Sequence, residues 1–167
     1  MKIRKAQLRD LKNIMSMYNS CVSGMIENGI DQWDKTYPNS SVIKEDILAQ
    51  TYFVAIKNNI IIGGINIDKN QDETYLSISW QDKSNSFLVV HRLAVKSDFW
   101  DKKVGKNLML FAENLVIEKG LTSIRLDTYS GNPKAINFYR KLKYIELGAI
   151  SLKPEKNEYY CFEKKIR

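Results

Sequence analysis

The apolar positions change their spacing several times along the chain, and each change marks an element. Ile3 to Ala6 is a short strand candidate, after which Leu8, Leu11, Ile14, Met15, Tyr18, Val22 and Met25 recur at helical spacing. That stripe predicts an amphipathic helix from Leu8 to near Gly29, with Asp10 in its first turn complementing the helix dipole. Val42 to Ala49 predicts a second, shorter helix capped by Ser40 or Ser41, with Glu45 close by. The spacing then turns to β. Tyr52 to Lys57 and Ile60 to Ile67 are separated by Asn58 and Asn59, residues able to take the positive φ angles of a tight hairpin turn. Gly63 and Gly64 inside the second run predict a bulge or the close approach of another backbone. Asp68 to Glu73 reads as loop, and Tyr75 to Trp80 as a weak strand or irregular segment.

The stretch from Ser86 to Gly120 organises the second half. Val89, Val90, Leu93, Ala94 and Val95 form a nearly unbroken apolar run, as in a strand covered on both faces. From Val104 the period becomes helical, through Leu108, Met109, Phe111, Ala112, Leu115 and Val116. Ser123 to Thr128 alternates as a strand, and Asn132-Pro133 opens another helix, asparagine capping free N–H groups and proline suiting the first helical position. That helix carries Ala135, Ile136, Phe138, Tyr139 and Leu142. Tyr144 to Leu152 and Glu158 to Ile166 complete the pattern as two strands around a turn. The β-α-β-α-β run from Ser86 to Leu152 predicts a mixed α/β fold, and the length predicts a single domain over residues 1–167.

Composition narrows the function classes. Apolar content of 44% and charged content of 27% are ordinary for a globular protein. MKIRKAQLRDL lacks the apolar core of a secretion signal, and no run approaches the roughly 20 apolar residues of a membrane span. The expectation is a cytoplasmic protein that does not enter membranes. Lys and Arg outnumber Asp and Glu by 26 to 19, a net charge of +7 that suits an anionic partner without choosing one. The two cysteines, Cys21 and Cys161, stand in no metal-ligand spacing and read as buried thiols. A cysteine nucleophile with the single histidine, His91, as its base finds no support in their spacing.

Local chemistry concentrates at the turn between the central strand and its helix. Lys96, Lys102 and Lys103, with Lys106 in the first helical turn, surround the free N–H groups of a helix N-terminus, an arrangement that holds phosphate when it is not simply a solvated loop. Trp33 and Tyr37 stand among polar residues in Ile30 to Ser41, either covering the core edge or lining a ligand pocket.

VVHRLAV, a basic turn closing on Gly105, a helix, then SIRLDTYSGNPKAINFYRKLKY together resemble the GNAT superfamily of acetyl-CoA-dependent N-acetyltransferases. The family's turn signature, commonly Gln/Arg-x-x-Gly-x-Gly/Ala, falls on Trp100 to Gly105. Only its last glycine is kept, with Trp100 at the Gln/Arg position and Lys103 at the first glycine. Asn132, Ala135, Tyr139, Lys141 and Tyr144 match Asn-x-x-Ala-x-x-x-Tyr-x-Lys-x-Gly-Phe/Tyr, with Lys143 replacing the glycine. The resemblance is firm from about Leu88 to Leu147 and looser over the whole chain.

The resemblance implies a central twisted mixed β-sheet with helices on both faces, acetyl-CoA as cosubstrate and no metal. Backbone groups of Leu93, Ala94 and Val95 would pair with pantetheine, and N–H groups of Lys102, Lys103, Val104, Gly105 and Lys106 would hold the pyrophosphate. Lys103 in place of glycine either weakens close approach or substitutes a charge. Lys141 or Arg140 would reach the adenosine phosphate, and Asn132 the pantetheine arm in addition to capping its helix. Tyr139 would protonate the departing CoA thiolate. His91 or Asp127 would accept the amine proton, unless Asp127 is instead paired to Arg92 or Arg125, and a backbone N–H of the central strand would stabilise the oxyanion. The acceptor pocket would draw on Trp33, Tyr37 and Trp80. The implied activity is direct acetyl transfer to a primary amine, in a monomer or homodimer. A non-catalytic acyl-CoA-binding regulatory module is the alternative reading, suggested by the altered turn. Nucleic-acid binding stands further off, because no basic recognition helix or stacking motif accompanies the charge.

Overall fold

The computed structural model describes residues 1–167. In chain order the elements are β1 (Lys2–Lys5), α1 (Leu11–Glu27), α2 (Ser40–Leu48), β2 (Tyr52–Lys57), β3 (Ile60–Asp68), β4 (Phe87–Val95), α3 (Val104–Glu118), β5 (Ser123–Tyr129), α4 (Pro133–Lys141), β6 (Ile145–Ile150) and β7 (Tyr159–Lys165). The strands form a mixed seven-stranded sheet in the order β1-β2-β3-β4-β5-β7-β6, with β4 and β5 the parallel pair. This is the predicted mixed α/β class. Two compact units make up the chain, one of Met1–Ile67 with His91–Phe111 and one of Asp68–Val90 with Ala112–Arg167.

In the first unit β1, β2 and β3 are antiparallel neighbours, and Asn58 and Asn59 turn the β2–β3 hairpin with φ of 49° and 62°. Strand pleating sends alternate residues of β2 to opposite sides. Tyr52 and Val54 join a buried cluster with Ile14, Met17 and Tyr18 of α1 and Ile43 and Ile47 of α2. Phe53 instead meets Phe111 of α3, ring centroids 4.9 Å apart. The adjacent glycines of β3 serve those two faces separately. A Cβ on Gly63 would stand 3.0 Å from Val104 Cγ1 and 3.1 Å from Leu108 Cδ1, so the missing side chain lets α3 sit close. A Cβ on Gly64 would collide with the Tyr52 ring.

Two helix starts differ from expectation. A 3-10 turn, Leu8–Asp10, precedes α1, because the Asp10 carboxylate accepts the Gln7 N–H at 2.8 Å and the Arg4 guanidinium at 2.7 Å. Those bonds hold the Asp10 carboxyl below the usual carboxylate range, the Arg4 hydrogen bond being the main cause. The cap of α2 is Asn39 rather than Ser40 or Ser41, its side chain accepting the Val42 N–H at 3.1 Å.

In the second unit Phe87–Val90 of β4 runs parallel to Ser123–Leu126 of β5, and β7 lies antiparallel between β5 and β6. Tyr75 to Trp80 contains no strand. Glu73–Ser77 is a 3-10 turn whose start is capped by Asp72, which accepts the Thr74 N–H at 2.9 Å. Below it the buried Arg125 bonds Glu163 at 3.3 Å, with its guanidinium 4.5 Å from the Trp80 ring centroid and 3.9 Å from that of Phe87. Glu163 in turn accepts the Gln81 and Asp82 N–H groups. Arg125 is therefore not the partner of Asp127.

Candidate active site

The candidate residues fall into two groups, one in each unit. In the first unit the central strand departs from regular geometry at Arg92, whose φ is 51°. A left-handed non-glycine residue inside a strand breaks the regular pleat, and this irregularity, of the kind a bulge makes, interrupts the alternation of side chains through β4. His91, the candidate base in the central strand, stands directly before this irregularity, so its side chain does not share one continuous alternation with Leu93 and Val95. Phe87 to Val90 are buried, whereas His91, Arg92 and Leu93 are half-exposed. The parallel β4–β5 register ends with Val90 opposite Leu126, while β5 goes on pairing with β7 through Tyr129.

A chain of tyrosines supports the bulge from the α1 side. Tyr18 donates to the Arg92 carbonyl at 2.7 Å, and Tyr52, seated over Gly64, donates to the Tyr18 hydroxyl at 2.9 Å. Burial holds both phenols far above their ordinary ionisation range, so they remain donors. The Arg92 side chain bonds Asp46 of α2 through Nε at 2.9 Å and Nη2 at 2.7 Å, and Tyr37 through Nη1 at 3.3 Å. Burial opposes the Arg92 charge, but Tyr37 and Asp46 outweigh it. Arg92, like Arg125, is thus committed elsewhere than Asp127.

The basic turn follows β4. Ala94 is buried, Leu93 and Val95 are half-buried, and the Val95 carbonyl already accepts the Trp100 indole N–H at 2.8 Å. Trp100 packs on Gly24 of α1, where an added Cβ would stand 2.9 Å from the indole. Its place in the turn is that of an anchor. Asp101 and Lys103 have φ of 59° and 63°. The position where the family pattern has its first glycine therefore keeps a glycine-like backbone despite carrying lysine. Lys102, Lys103 and Lys106 are exposed around the start of the 15-residue α3, Val104 is buried, and Gly105 lies between them on the first turn. Exposed ammonium groups, a left-handed turn and a helix N-terminus fit the diphosphate of CoA. Trp33 and Tyr37 are half-buried. Trp33 meets Tyr18 edge-on at 5.7 Å, and Asp34 organises the loop by accepting the Thr36 N–H at 2.7 Å.

The second unit holds Tyr139, Asn132, Lys141, Asp127 and Trp80. The Asn132 side chain accepts the Ala135 N–H at 3.0 Å and so caps α4. Tyr139 is buried, its ring fixed by Phe138, Tyr144 and Phe162 at 5.1–6.1 Å. Its hydroxyl makes no hydrogen bond within the chain, and burial, with a smaller contribution from Asp127, holds the phenol above its usual range. Asp127 accepts the Tyr75 hydroxyl at 2.6 Å. Lys141 is exposed at the end of α4. Trp80 is buried instead of lining a pocket, its indole N–H donating to the Tyr75 carbonyl at 2.9 Å. The cysteines are buried free thiols, and burial raises Cys21 to about 11 and Cys161 to about 12, which disfavours a nucleophilic role.

Sequence reasoning missed Arg92, Asp46, Tyr18 and Tyr75. A left-handed arginine has no sequence signature, and Asp46 looks like any polar residue on an exposed helix face.

The mixed sheet, the basic turn and the asparagine-capped final helix are the arrangement that the sequence resemblance implies. The chain belongs to the Acetyltransferase (GNAT) family, whose pattern matches residues 12–144. It is 23% identical over 163 residues to YesJ, an uncharacterized N-acetyltransferase of Bacillus subtilis strain 168, spanning 96% of this chain and 88% of that one. In fold it resembles a GNAT-family acetyltransferase of Streptococcus agalactiae 2603, with a TM-score of 0.82, 23% identity and 98% and 94% of the two chains covered. It also resembles the PaiA N-acetyltransferase of Thermoplasma acidophilum in complex with coenzyme A, with a TM-score of 0.72, 20% identity and 98% of each chain covered. No helix is long and apolar enough to cross a membrane.

Proposed function

We propose that this protein transfers the acetyl group of acetyl-CoA directly to a primary amine, and that one catalytic domain spans residues 1–167. Family membership over residues 12–144 supports the cosubstrate. The observation that carries the chemistry is the Tyr139 hydroxyl, which makes no hydrogen bond within the chain although its ring is held on three sides. A phenol that structure does not need is free to donate a proton. Acetyl-CoA supplies the activated acyl group. Lys102, Lys103 and Lys106, with the first N–H groups of α3, bind its diphosphate; Lys141 adds charge; Asn132 and the backbone of Leu93, Ala94 and Val95 orient pantetheine. A β4 N–H beside the Arg92 bulge stabilises the oxyanion, Tyr139 protonates the leaving thiolate, and His91 or Asp127 takes the amine proton. Trp33 and Tyr37 wall the acceptor.

The test follows free thiol release from acetyl-CoA with a panel of primary amines. Amine-dependent release, lost in Tyr139→Phe with CoA binding retained, is the expected result. Tight CoA binding with no release for any amine favours the non-catalytic acyl-CoA-binding module, for which the lysine at position 103 is the motive.

A further inference from the structure

We propose that Arg92 is a positioning residue that clamps the Ile30–Ser41 loop to the β4 bulge and so sets which acceptors the enzyme takes. The inference rests on the reading of that loop as the acceptor wall. All of its geometry lies within the first unit. The loop tip is built independently: Asp34 accepts both the N–H and hydroxyl of Thr36, at 2.7 and 2.6 Å, and Asp34 and Tyr37 form a β-bridge. Trp33 packs this preformed turn edge-on against Tyr18 at 5.7 Å, and Tyr37 adds a directional polar attachment by accepting from Arg92 Nη1 at 3.3 Å.

Arg92 is suited to that task because it is fixed at both ends. Its backbone carbonyl is held by Tyr18, itself held by Tyr52, and its guanidinium meets Asp46 with two parallel N–H···O bonds of 2.9 and 2.7 Å. A bidentate pair fixes direction as well as distance. Side-chain exposure of 16% for Arg92 and 12% for Asp46 keeps water from competing freely. The residue whose left-handed backbone makes the bulge is thus also the residue that holds the loop. Displacing the guanidinium moves the acceptor wall relative to β4, where the proposed oxyanion donor lies. The proposed diphosphate contacts lie in the turn and α3, and the proposed pantetheine contacts on β4 use backbone groups of Leu93 to Val95 rather than the Arg92 side chain, so both are left intact. The clamp therefore acts on the acceptor and leaves the cosubstrate alone.

The test compares Asp46→Asn, Arg92→Lys and the milder Tyr37→Phe with the unaltered enzyme. Limited trypsin digestion under native conditions reads the loop directly through the cut after Lys35, without any acceptor. Steady-state kinetics with the best amine of the panel read acceptor KM, and titration reads Kd for acetyl-CoA. Expected are a Lys35 cut at least about fivefold faster in Asp46→Asn, acceptor KM up about tenfold, an unchanged Kd for acetyl-CoA, and smaller changes of the same kind in Tyr37→Phe. Arg92→Lys keeps the charge but not the fork, and recovers only part of the KM. An unchanged Lys35 cut in Asp46→Asn overturns the clamp. A faster cut with unchanged acceptor KM, or a KM change matched by Kd for acetyl-CoA, overturns its role in acceptor choice. If no amine is acetylated by the unaltered enzyme, the acetyl-transfer reading fails, and the specificity role with it, while the digestion still decides whether the loop is clamped.

Discussion

Tyr139 and Lys103 show how a residue's surroundings separate structural from chemical duty. The Tyr139 hydroxyl makes no bond that folding requires, so Tyr139→Phe should change stability by no more than about 0.5 kcal/mol while lowering kcat about 100-fold or more. Thermal unfolding and thiol-release kinetics, measured side by side, check the pair. Since its phenol titrates above the ordinary range, no alkaline fall in kcat from loss of the Tyr139 proton is expected below about pH 10. Lys103 carries the opposite tension, a lysine on backbone that glycine takes without strain. Lys103→Gly should relieve roughly 1 kcal/mol of left-handed strain and lose part of it to chain entropy, so a small rise in Tm is expected. Weakening of CoA binding should stay near about threefold, the worth of one exposed charge contact. Calorimetric titration with CoA distinguishes that from a collapsed site. The motif positions were legible in the sequence because they are spaced along one chain segment. The backbone angle at Lys103 was legible only through the family's glycine.

At the scale of elements, the glycine pair of β3 decides how closely α3 and the tyrosine chain approach the sheet. The sequence predicts a bulge or the close approach of another backbone there; the β2–β3 register shifts between Ala55 and Ile56, a Cβ on Gly63 would stand 3.2 Å from the Ala94 carbonyl oxygen, and the neighbour at Gly64 is a side chain, the Tyr52 ring. Gly64→Ala drives a methyl into the Tyr52 ring and is expected to destabilise by about 1–3 kcal/mol. It should also loosen the Tyr18 bond to Arg92, and denaturant unfolding checks the first part. Asn132→Ala removes the α4 cap and should lower stability by about 1 kcal/mol, a change that Tm would register whether or not CoA is present. Helix starts were the least legible feature. Asn39 and Asp10 won over the expected positions because their carboxyl and amide oxygens reach N–H groups that depend on the exact path of the preceding chain. Tyr75 to Trp80 alternates like a strand, but its aromatics bury themselves around Arg125 instead, a tertiary contact that overrides local pattern.

For the whole molecule, ionisation and burial give two expectations. Tyr18, Tyr52, Tyr75, Tyr139 and Tyr144 all have phenols held above their unfolded value, chiefly by burial. Below about pH 10 neither state has lost these protons, and their contribution is whole. As pH rises further the unfolded chain ionises first and binds fewer protons than the folded one, so stability falls toward the raised folded values. Unfolding measured between pH 8 and 11.5 should show that decline begin near about pH 10. Cys21 and Cys161, both buried, should resist a thiol reagent in the native state and react together on unfolding. Fast modification of either one at neutral pH would contradict the burial.

What the sequence by itself determined is what periodicity and short spacing encode: the order of strands and helices, the Asn58-Asn59 hairpin, the strand–turn–helix before Gly120 and the Asn132 helix carrying Tyr139. Each depends on residues within a few turns of one another. The tertiary structure alone decided the bulge at Arg92, the Tyr52–Tyr18 chain beneath it, the guanidinium link to Asp46 and Tyr37, and the inward turn of Trp80. The bonds of the tyrosine chain and of the Arg92 guanidinium join residues 34 to 74 positions apart in the chain, and a side chain's partner at that separation is fixed by packing, about which local pattern carries no information.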